Sequence, residues 1–385
     1  MKRILAAAVG IALLVLLPLS AGAATLAEAG KSAVLMDVTT GTVLYEHNSH
    51  EALAPASVTK VMTMLLIMEA VDSGKIALTD TVTASEAAAA KGGSQIYLKA
   101  GETMSVSDML KSIAVSSAND CACAMAEHIC GSESAFVEAM NRRAKELGMQ
   151  DTHFVNCTGL DDDDSAKLHR TSAYDIALMS RELLKNHPDI KKYTTIWMDT
   201  VRNGAFGLSN TNKLIRFYPG ATGLKTGYTA GAGYCLSASA QKEGMELIAV
   251  VMGAKTSQAR NAACKELLDY GFANFAVVAP EPEELPQVAV RLGKQTQVPV
   301  KIEETAGMLI EKSQRSGITT EISLEDSVAA PVVRGQTLGS LSVKSGEQTL
   351  RQIPLVAAED VERLSTGDIF LAVLRRAAMA KETRE

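Results

Sequence analysis

The sequence predicts an α+β protein in which helices pack on an antiparallel sheet. A small all-β sandwich domain and a C-terminal amphipathic helix are expected to follow. Three observations lead to this class. Strand-like runs open and close the first part of the chain, with a block of helical runs between them. A cluster of prolines then marks a linker, and the short runs beyond it have the length and alternation of strands.

The composition is that of a globular protein with two domains. The chain has 385 residues, of which 47% are hydrophobic and 21% are charged, so it is long enough for a sizeable core and too apolar to be disordered. Its formal net charge is -6, and no long basic block occurs. Nucleic acid is therefore not expected to be a partner.

Residues 1–23 have the organisation of a secretory signal peptide. Lys2 and Arg3 precede an apolar run from Ile4 to Leu19, and Ala21-Gly22-Ala23 forms a small-residue cleavage site. Cleavage after Ala23 is expected, with an uncleaved anchor helix as the alternative. The protein is therefore predicted to be exported.

The predicted catalytic domain spans residues 24–278 and begins with a hairpin. "SAVLMDVTTGTVLYEH" reads as two strands, and Ser57 to Ala70 as a helix that is apolar on most faces and hence buried. Ser105 and Asp108 form a capping box before the next helix, which breaks at "SSAND". Further helices are expected up to Gly131, up to Gly148 and over "TSAYDIALMSRELLKN".

The predicted order of elements then returns to strands. "GYCLSASA" and "MELIAVVMG" read as a hairpin at the centre of a sheet, and "SQARNAACKELLDYGF" as a closing helix. Residues 279–358 contain short runs with turn residues between them, which are typical of a β-sandwich. Residues 359–385 form the predicted tail, in which "DIFLAVLRRAAMAK" reads as a short amphipathic helix.

Ser57 and Lys60 are the first candidate catalytic pair. Residues three apart on a helix share a face, so the amine is expected to lie beside the hydroxyl. A serine hydroxyl is a poor nucleophile until a base takes its proton, and burial favours the neutral lysine that can act as that base. Because S-x-x-K is common, an ordinary helix charge remains the alternative on this pattern alone.

Two further motifs strengthen the enzymatic interpretation. Ser117-Ala118-Asn119 lies at the predicted helix break, and Lys225-Thr226-Gly227 lies at the predicted entrance to a strand. The chain thus contains S-x-x-K, S-x-N and K-T-G in that order and in the expected contexts, a combination that is typical of acyl-serine transferases.

With these motifs the chain resembles the serine D-alanyl-D-alanine carboxypeptidases, the low-molecular-mass penicillin-binding proteins. The resemblance extends over nearly the whole chain and includes "HFVNCTGL", "NTNKL", "PGATGLKTGYT" and "GAKTSQAR". It implies a β-lactamase/transpeptidase-like catalytic domain. It also implies peptidoglycan stem peptides ending in D-Ala-D-Ala as substrates and β-lactams as covalent inhibitors.

The resemblance assigns the chemical steps residue by residue. Ser57 is expected to attack the D-Ala-D-Ala carbonyl while Lys60 takes its proton. The backbone N–H groups of Ser57 and Tyr228 are expected to form the oxyanion hole. Ser117 and Lys225 are expected to relay the proton to the leaving D-alanine, with no metal and no cofactor.

Substrate recognition is assigned in the same way. Asn119 is expected to hold the substrate amide, and Thr226 and Gly227 belong to the strand that binds the substrate. Arg260, in "SQAR", is expected to bind the terminal carboxylate; position alone favours an ordinary helix-surface arginine. Some relatives carry histidine where this chain has Tyr228.

The resemblance also implies a location and a surface partner. The apolar residues of the C-terminal helix stand beside Arg375, Arg376 and Lys381, so the helix is expected to lie on the membrane surface. The protein would then act at the outer face of the cytoplasmic membrane, in the cell wall space.

Other functions are disfavoured by specific residues. A class A β-lactamase needs a glutamate for deacylation, and the nearest imitation, Glu182, reads as a solvated helix residue. A β-lactam sensor domain would need further membrane spans, which the chain lacks. The histidines form no metal motif, and Asp161 to Asp164 read as a solvated loop rather than a calcium site.

The six cysteines give no disulfide pattern. An even count in an exported protein permits pairing, but no C-x-x-C occurs and the spacing does not favour a partner for any of them. Buried free thiols are therefore expected.

Overall fold

The computed structural model describes residues 26–162, 164–278, 284–303, 307–371 and 373–374. The predicted signal peptide, most of the proline-rich linker, Asp163 and the three tail cations lie outside the described residues.

Most of the helices lie between two groups of strands, as the sequence predicts. The helices are α1 (Lys60–Asp72), α2 (Glu86–Ala89), α3 (Val106–Ser116), α4 (Asn119–Cys130), α5 (Glu133–Glu146), α6 (Ala173–Asn186), α7 (Lys191–Thr194), α8 (Leu214–Phe217) and α9 (Ser257–Asn274). The strands of this part are β1 (Ser32–Asp37), β2 (Val43–His47), β3 (Thr81–Thr83), β4 (Thr103–Ser105), β5 (Met198–Val201), β6 (Phe206–Ser209), β7 (Ala221–Thr229), β8 (Gly233–Lys242), β9 (Met245–Ala254) and β10 (Phe275–Val278).

A five-stranded antiparallel sheet forms the centre of the catalytic part, in the order β2-β1-β9-β8-β7. Successive side chains of a strand point to opposite faces, and here both faces are covered. Ile248 and Val250 pack into a core with the helices α1 and α3 to α6, whereas Leu247 and Ala249 pack against α9. This burial on both faces explains why β9 reads as a continuous apolar run.

The predicted helix boundaries are confirmed where capping residues support them. The Ser105 hydroxyl accepts a hydrogen bond from the Asp108 N–H, and α3 ends before Ser117, which has a left-handed backbone with φ of 64°. Gly131 and Gly148 follow α4 and α5 with φ of 81° and 75°, values that glycine adopts without strain.

Two local features differ from the prediction. Ser57 lies in a 3-10 turn, Ala56–Thr59, and α1 begins only at Lys60. The K-T-G motif lies inside the edge strand β7 rather than at a strand entrance. The antiparallel strand pairs β3–β4 and β5–β6 and the short helices were not predicted, because runs of three or four residues carry too little periodicity.

The C-terminal part is all-β, as predicted. Its sheets have the orders β13-β18-β17-β15 and β12-β11-β16, and residues such as Leu341, Val343 and Leu355 form a shared core. Packing in this core continues to Val361, beyond the predicted boundary at Ala358. The strands are β11 (Val288–Arg291), β12 (Gln297–Val298), β13 (Val300–Ile302), β14 (Met308–Glu311), β15 (Ile318–Leu324), β16 (Ser327–Ala329), β17 (Thr337–Ser345) and β18 (Gln348–Ala357).

The two parts are joined by strand pairing. β10, which directly follows α9, pairs antiparallel with β14 of the C-terminal part. The Lys312 ammonium also donates to the Phe272 carbonyl at the end of α9. At the far end of the chain, residues 366–371 and 373–374 are helical.

Candidate active site

The nucleophile candidate lies in the turn that precedes α1. Lys60 is fully buried, and its Nζ lies 2.9 Å from the Ser57 Oγ. Ala56 adopts φ of 48°, an uncommon value for a residue with a side chain, so the turn before the helix is held in a strained conformation. The predicted Ser57–Lys60 pair is therefore brought within hydrogen-bond distance.

Burial gives Lys60 the properties of a base. It lowers the lysine pKa to about 7, and nearby Cys157 and Asp120 oppose this shift only in part. The Lys60 Nζ also donates to the Thr158 carbonyl oxygen at 2.8 Å. A neutral amine that donates one N–H to this carbonyl can direct its lone pair to the Ser57 hydroxyl.

The S-x-N motif forms the junction between α3 and α4. The Asn119 Nδ2 donates to the Gly92 carbonyl at 2.7 Å, which ties the motif to the loop before Ser94. The Ser117 Oγ and the Asn119 Oδ1 are buried without a hydrogen-bond partner in the part of the chain that is described. Buried polar atoms are rarely left unpaired, so both atoms are available to a ligand.

The K-T-G motif contributes a second buried lysine. Lys225 is 1% exposed, and its Nζ donates to the Thr226 carbonyl at 2.8 Å. Burial, followed by the charges of Lys60 and Arg260, holds the pKa of Lys225 well below its usual range. The Thr226 hydroxyl donates to the Thr211 hydroxyl at 2.7 Å.

Gly227 allows β7 to approach the nucleophile turn. A Cβ atom at this position would lie 2.6 Å from the Pro55 carbonyl oxygen and 3.0 Å from the Val58 nitrogen. No side chain fits in that space, so the glycine is a steric requirement for bringing K-T-G beside Ser57.

Arg260 is buried, contrary to the helix-surface alternative. It is 5% exposed, its Nε and Nη2 donate to the Asn261 side chain, and its Nη1 donates to the Cys235 carbonyl. Cys235 pairs with Gly227 in the sheet, which places the guanidinium near the K-T-G strand. The guanidinium also lies over the Tyr234 ring, on which the exposed Tyr228 ring is stacked at 4.2 Å.

The charge balance of the site favours an anionic ligand. The charges of Lys60 and Arg260 act on Lys225, and within the described ranges none of the three forms a salt bridge. The buried charge of Arg260, and any proton that Lys60 or Lys225 takes up, is costly without an acidic partner, and a bound carboxylate or a developing oxyanion would offset that cost.

Thr158 is a residue of the site that sequence reasoning missed. Its carbonyl orients Lys60, yet a backbone acceptor leaves no signature in residue type. The segment that carries it is held by Asn156, whose Oδ1 accepts from the Thr158 and Gly159 N–H groups. The "HFVNCTGL" stretch is part of the resemblance to the family. Its asparagine and glycine are the only residue types in it that indicate the turn in which Thr158 lies.

The structure separates Glu182 from the serine. Its carboxylate pairs with Arg143 at 2.6 Å, and Arg143 also pairs with Glu69 near the end of α1. Glu69 is nine residues beyond Lys60, about 13 Å along the helix axis. The expectation that Glu182 is a solvated residue was wrong, because its carboxylate belongs to a half-buried network of ion pairs. The expectation that Glu182 lies outside the active site is supported by its distance from Ser57.

The same network contains a group of possible metal ligands. Atoms of Glu69, Glu182 and His187 lie close enough together to hold a metal ion. The Arg143 guanidinium, however, already donates to both carboxylates, so this group has a cation in place. In the predicted acidic loop, Asp164 pairs with Lys167 on the surface.

The cysteines are free thiols, most of them buried, as the sequence predicts. All six cysteines are free, and five of them are buried while Cys130 is half-buried. No helix among the described residues is long and apolar enough to cross a membrane.

The comparisons with known proteins agree with this site. Residues 20–256 match the D-alanyl-D-alanine carboxypeptidase family, and residues 279–363 match the C-terminal domain of penicillin-binding protein 5. The D-alanyl-D-alanine carboxypeptidase DacF of Bacillus subtilis is 46% identical over 357 residues, which cover 91% of this chain and 90% of DacF.

Solved structures extend the likeness to three dimensions. Penicillin-binding protein 5 from Haemophilus influenzae is 31% identical with a TM-score of 0.73, covering 87% of this chain and 98% of that structure. Penicillin-binding protein D2 from Listeria monocytogenes, solved with ampicillin bound, is 32% identical with a TM-score of 0.58, covering 63% of this chain and 98% of that structure. The chain therefore belongs to the family of serine D-alanyl-D-alanine carboxypeptidases, the low-molecular-mass penicillin-binding proteins.

Proposed function

We propose that the chain removes the terminal D-alanine from peptidoglycan stem pentapeptides through an acyl-enzyme on Ser57. The observation that carries this proposal is the 2.9 Å contact between the Ser57 Oγ and the buried Lys60 Nζ. A lysine with a pKa of about 7 is neutral in about half of the molecules at pH 7, and in that form it can accept a proton. The acyl-serine chemistry of the family supplies the reaction type.

Acylation begins with proton transfer. The Ser57 hydroxyl gives its proton to the Lys60 amine as the Oγ bonds to the carbonyl carbon of the penultimate D-alanine. The carbonyl oxygen becomes an oxyanion, which the N–H groups of Ser57 and Tyr228 hold. The close approach that Gly227 permits, which brings β7 beside the turn that carries Ser57, supports this assignment.

Collapse of the intermediate releases D-alanine. The carbon–nitrogen bond breaks, and the amine of the leaving D-alanine takes up the proton that Lys60 accepted. Ser117 and Lys225 relay that proton in this proposal, which is supported by the buried Ser117 Oγ, without a hydrogen-bond partner among the described residues, and by the lowered Lys225 pKa. A water molecule then cleaves the Ser57 ester, which restores the hydroxyl and frees the shortened peptide.

The substrate is recognised at two points. Arg260 binds the terminal carboxylate, and the Thr226 hydroxyl donates to the same group once it turns away from the Thr211 hydroxyl. The unpaired Asn119 Oδ1 accepts a hydrogen bond from an amide N–H of the stem peptide. Gly227, as part of the same strand, keeps the peptide close to Ser57.

β-Lactams acylate the same serine in this proposal. They carry an acyl bond and a carboxylate in a similar arrangement, and the Listeria relative was solved with ampicillin bound. Glu182 is held by Arg143 and so does not supply the deacylating glutamate of a class A β-lactamase. The penicilloyl-enzyme is therefore expected to persist rather than turn over rapidly.

The test combines peptide cleavage with covalent labelling. Wild type should release D-alanine from a synthetic peptide ending in D-Ala-D-Ala, and penicillin should add mass to the peptide that contains Ser57. Ser57→Ala should abolish both signals, whereas Ser313→Ala, at an exposed serine of the C-terminal part, should leave both unchanged. An adduct on another residue, or rapid repeated penicillin hydrolysis, would refute the proposal.

The organisation of the chain completes the proposal. A signal peptide, residues 1–23, directs export and is removed. Residues 24–278 form the catalytic domain, and residues 279–358 form the β-sandwich domain, whose core packing continues to Val361. Residues 359–385 form the tail, whose helical segment exposes Phe370 by 65% and Val373 by 62%. We place the enzyme at the outer face of the cytoplasmic membrane, with this segment on the lipid surface and without a nucleic-acid partner.

A further inference from the structure

His169 is a buried titratable residue to which the reaction above gives no role. It lies shortly before α6, at the end of the loop that follows the "HFVNCTGL" stretch, and only 3% of it is exposed. Its ring packs edge-on against Phe154 at a centroid distance of 5.6 Å. Both ring nitrogens have hydrogen-bond partners that belong to different parts of the site.

These partners determine the tautomer of His169. The Val155 N–H donates to the Nδ1 at 3.3 Å, so the Nδ1 carries a lone pair. The Nε2 lies 2.8 Å from the Thr59 Oγ1, and that hydroxyl donates its own proton to the Ala56 carbonyl. The Nε2 must therefore be the protonated nitrogen, and it donates to Thr59.

The environment keeps His169 neutral, as this tautomer requires. Burial, followed by the charges of His153 and Lys60, lowers the pKa of His169 to about 4. An imidazolium would present a second N–H to the Val155 N–H and lose that hydrogen bond. The histidine is thus a fixed linker with one acceptor and one donor.

The two elements that His169 links hold the two ends of the catalytic pair. Thr59 belongs to the turn that carries Ser57, and Val155 belongs to the segment whose Thr158 carbonyl accepts from Lys60. The two elements are in direct contact, since a Cβ on Gly159 would lie 1.8 Å from the Ala56 carbonyl oxygen. A shift of the Thr158 carbonyl relative to the turn would change how the Lys60 Nζ is directed at the Ser57 Oγ.

We propose that His169 is a positioning residue for acylation: by joining Thr59 to Val155 it fixes the Thr158 carbonyl and the Ser57 turn relative to each other. This inference rests on the proposed role of Ser57 and Lys60. His169 touches neither substrate nor the reacting atoms, so its effect is expected on the chemical step and not on substrate binding.

The variants of His169 distinguish the loss of its two hydrogen bonds from the loss of its side-chain volume. His169→Ala should lower kcat for D-alanine release, and the rate constant of penicillin acylation, by about 10- to 100-fold with KM nearly unchanged. His169→Gln should stay within about threefold of wild type, because its Oε1 can accept from Val155 while its Nε2 donates to Thr59. His153→Gln, at an exposed histidine nearby, is the matched control and should behave as wild type.

A second pair of variants tests the other end of the contact. Thr59→Val removes the hydroxyl at similar shape and should reproduce the loss in kcat, whereas Thr59→Ser keeps the hydroxyl and should retain activity. Even if His169→Ala fails to fold, acylation of Thr59→Val at the wild-type rate would overturn the inference, and His169→Gln separates the histidine contact from the Thr59–Ala56 hydrogen bond.

The outcomes distinguish this inference from the proposed function. If wild type is labelled on Ser57 but His169→Ala or Thr59→Val acylates within twofold of it, His169 has no positioning role. A loss in His169→Gln as large as in His169→Ala, or a change confined to KM, would overturn the inference equally. Absence of wild-type labelling and cleavage would instead overturn the proposed function.

Discussion

Lys60 shows how burial can prepare a side chain for a proton transfer. The residue is fully buried, its Nζ contacts the Ser57 hydroxyl and the Thr158 carbonyl, and no carboxylate pairs with it among the described residues. Transfer of an ammonium group from water into such a site is costly, so the neutral form is favoured. The same physical cause acts on Lys225, whose pKa is also lowered.

The first prediction concerns the pH dependence of acylation. Lys60 accepts a proton only when neutral, so the acylation rate should rise with pH and reach half its maximum near pH 7, its pKa. Below that pH the lysine is protonated in the folded enzyme and the base is lost. Measurement of penicillin acylation between pH 5 and pH 9 checks this, and a flat profile across the range would contradict it.

The second prediction concerns Arg260. Arg260→Ala should weaken D-Ala-D-Ala cleavage by about 1.5–3 kcal/mol, because a charge-assisted hydrogen bond to the substrate carboxylate is lost. A peptide with an amidated C-terminus lacks that charge and should be cut equally slowly by wild type and variant. Arg216→Ala, at an exposed arginine on α8, serves as the control. If Arg260→Ala lowered the cleavage rates of the carboxylate peptide and the amidated peptide by equal factors, Arg260 would have only a structural role.

At the level of elements, the site depends on how closely an edge strand can approach a turn. β7 pairs with β8 along one edge only, and the face towards which a side chain at Gly227 would point lies against the 3-10 turn that carries Ser57. A strand whose second edge is unpaired has free N–H and C=O groups, which suits it to hold an extended peptide. The close contact at Gly227 therefore couples substrate binding to the position of the nucleophile.

The third prediction tests that contact. Gly227→Ala would place a methyl group 2.6 Å from the Pro55 carbonyl oxygen, so β7 must move away from the turn. We expect kcat/KM for the peptide to fall by about 100-fold, since displacements near 1 Å at a reacting centre have effects of that size. The matched control is Gly207→Ala in β6, where a Cβ meets nothing within 4 Å. Equal activity of the two variants would show that the contact is not required.

At the level of the whole molecule, the proposed chemistry lies in one part of the chain and the proposed membrane contact in another. Ser57, Lys225 and Arg260 all precede residue 279, whereas the exposed apolar side chains of the tail lie beyond residue 364. Ser365 and Asp368 exchange hydrogen bonds at the start of the helical segment, which is the arrangement of a capping box. The segment thus begins at a defined point after the β-sandwich core.

The fourth prediction separates these two properties. Ending the chain at Leu364 should abolish binding of the mature protein to vesicles that contain anionic lipid, because the apolar side chains and the cations of the tail are both removed. Cleavage of a small soluble peptide should be unchanged. Vesicle flotation and D-alanine release measure the two properties, and a truncated protein that still floats with vesicles would exclude the tail as the anchor.

The sequence by itself determined the fold class and most helix boundaries, and it pointed to the motif residues of the candidate site but not to Thr158. Capping residues, glycines and apolar periodicity act over a few neighbours, so Ser105, Gly131 and Gly148 marked helix ends correctly. The three motifs could be recognised because each is short and contiguous. Short elements such as β5 and α8 were not predicted, because four residues are too few to show a hydrophobic periodicity.

Only the tertiary structure decided how these motifs work together. Thr158 accepts from Lys60 across 98 positions of the chain, and His169 meets Thr59 across 110 positions. Contacts of this kind depend on which elements pack together, and a carbonyl acceptor or a steric gap at Gly227 is not encoded in residue type. The lowered pKa of Lys60 has the same origin, since burial is a property of the surrounding elements and not of the lysine.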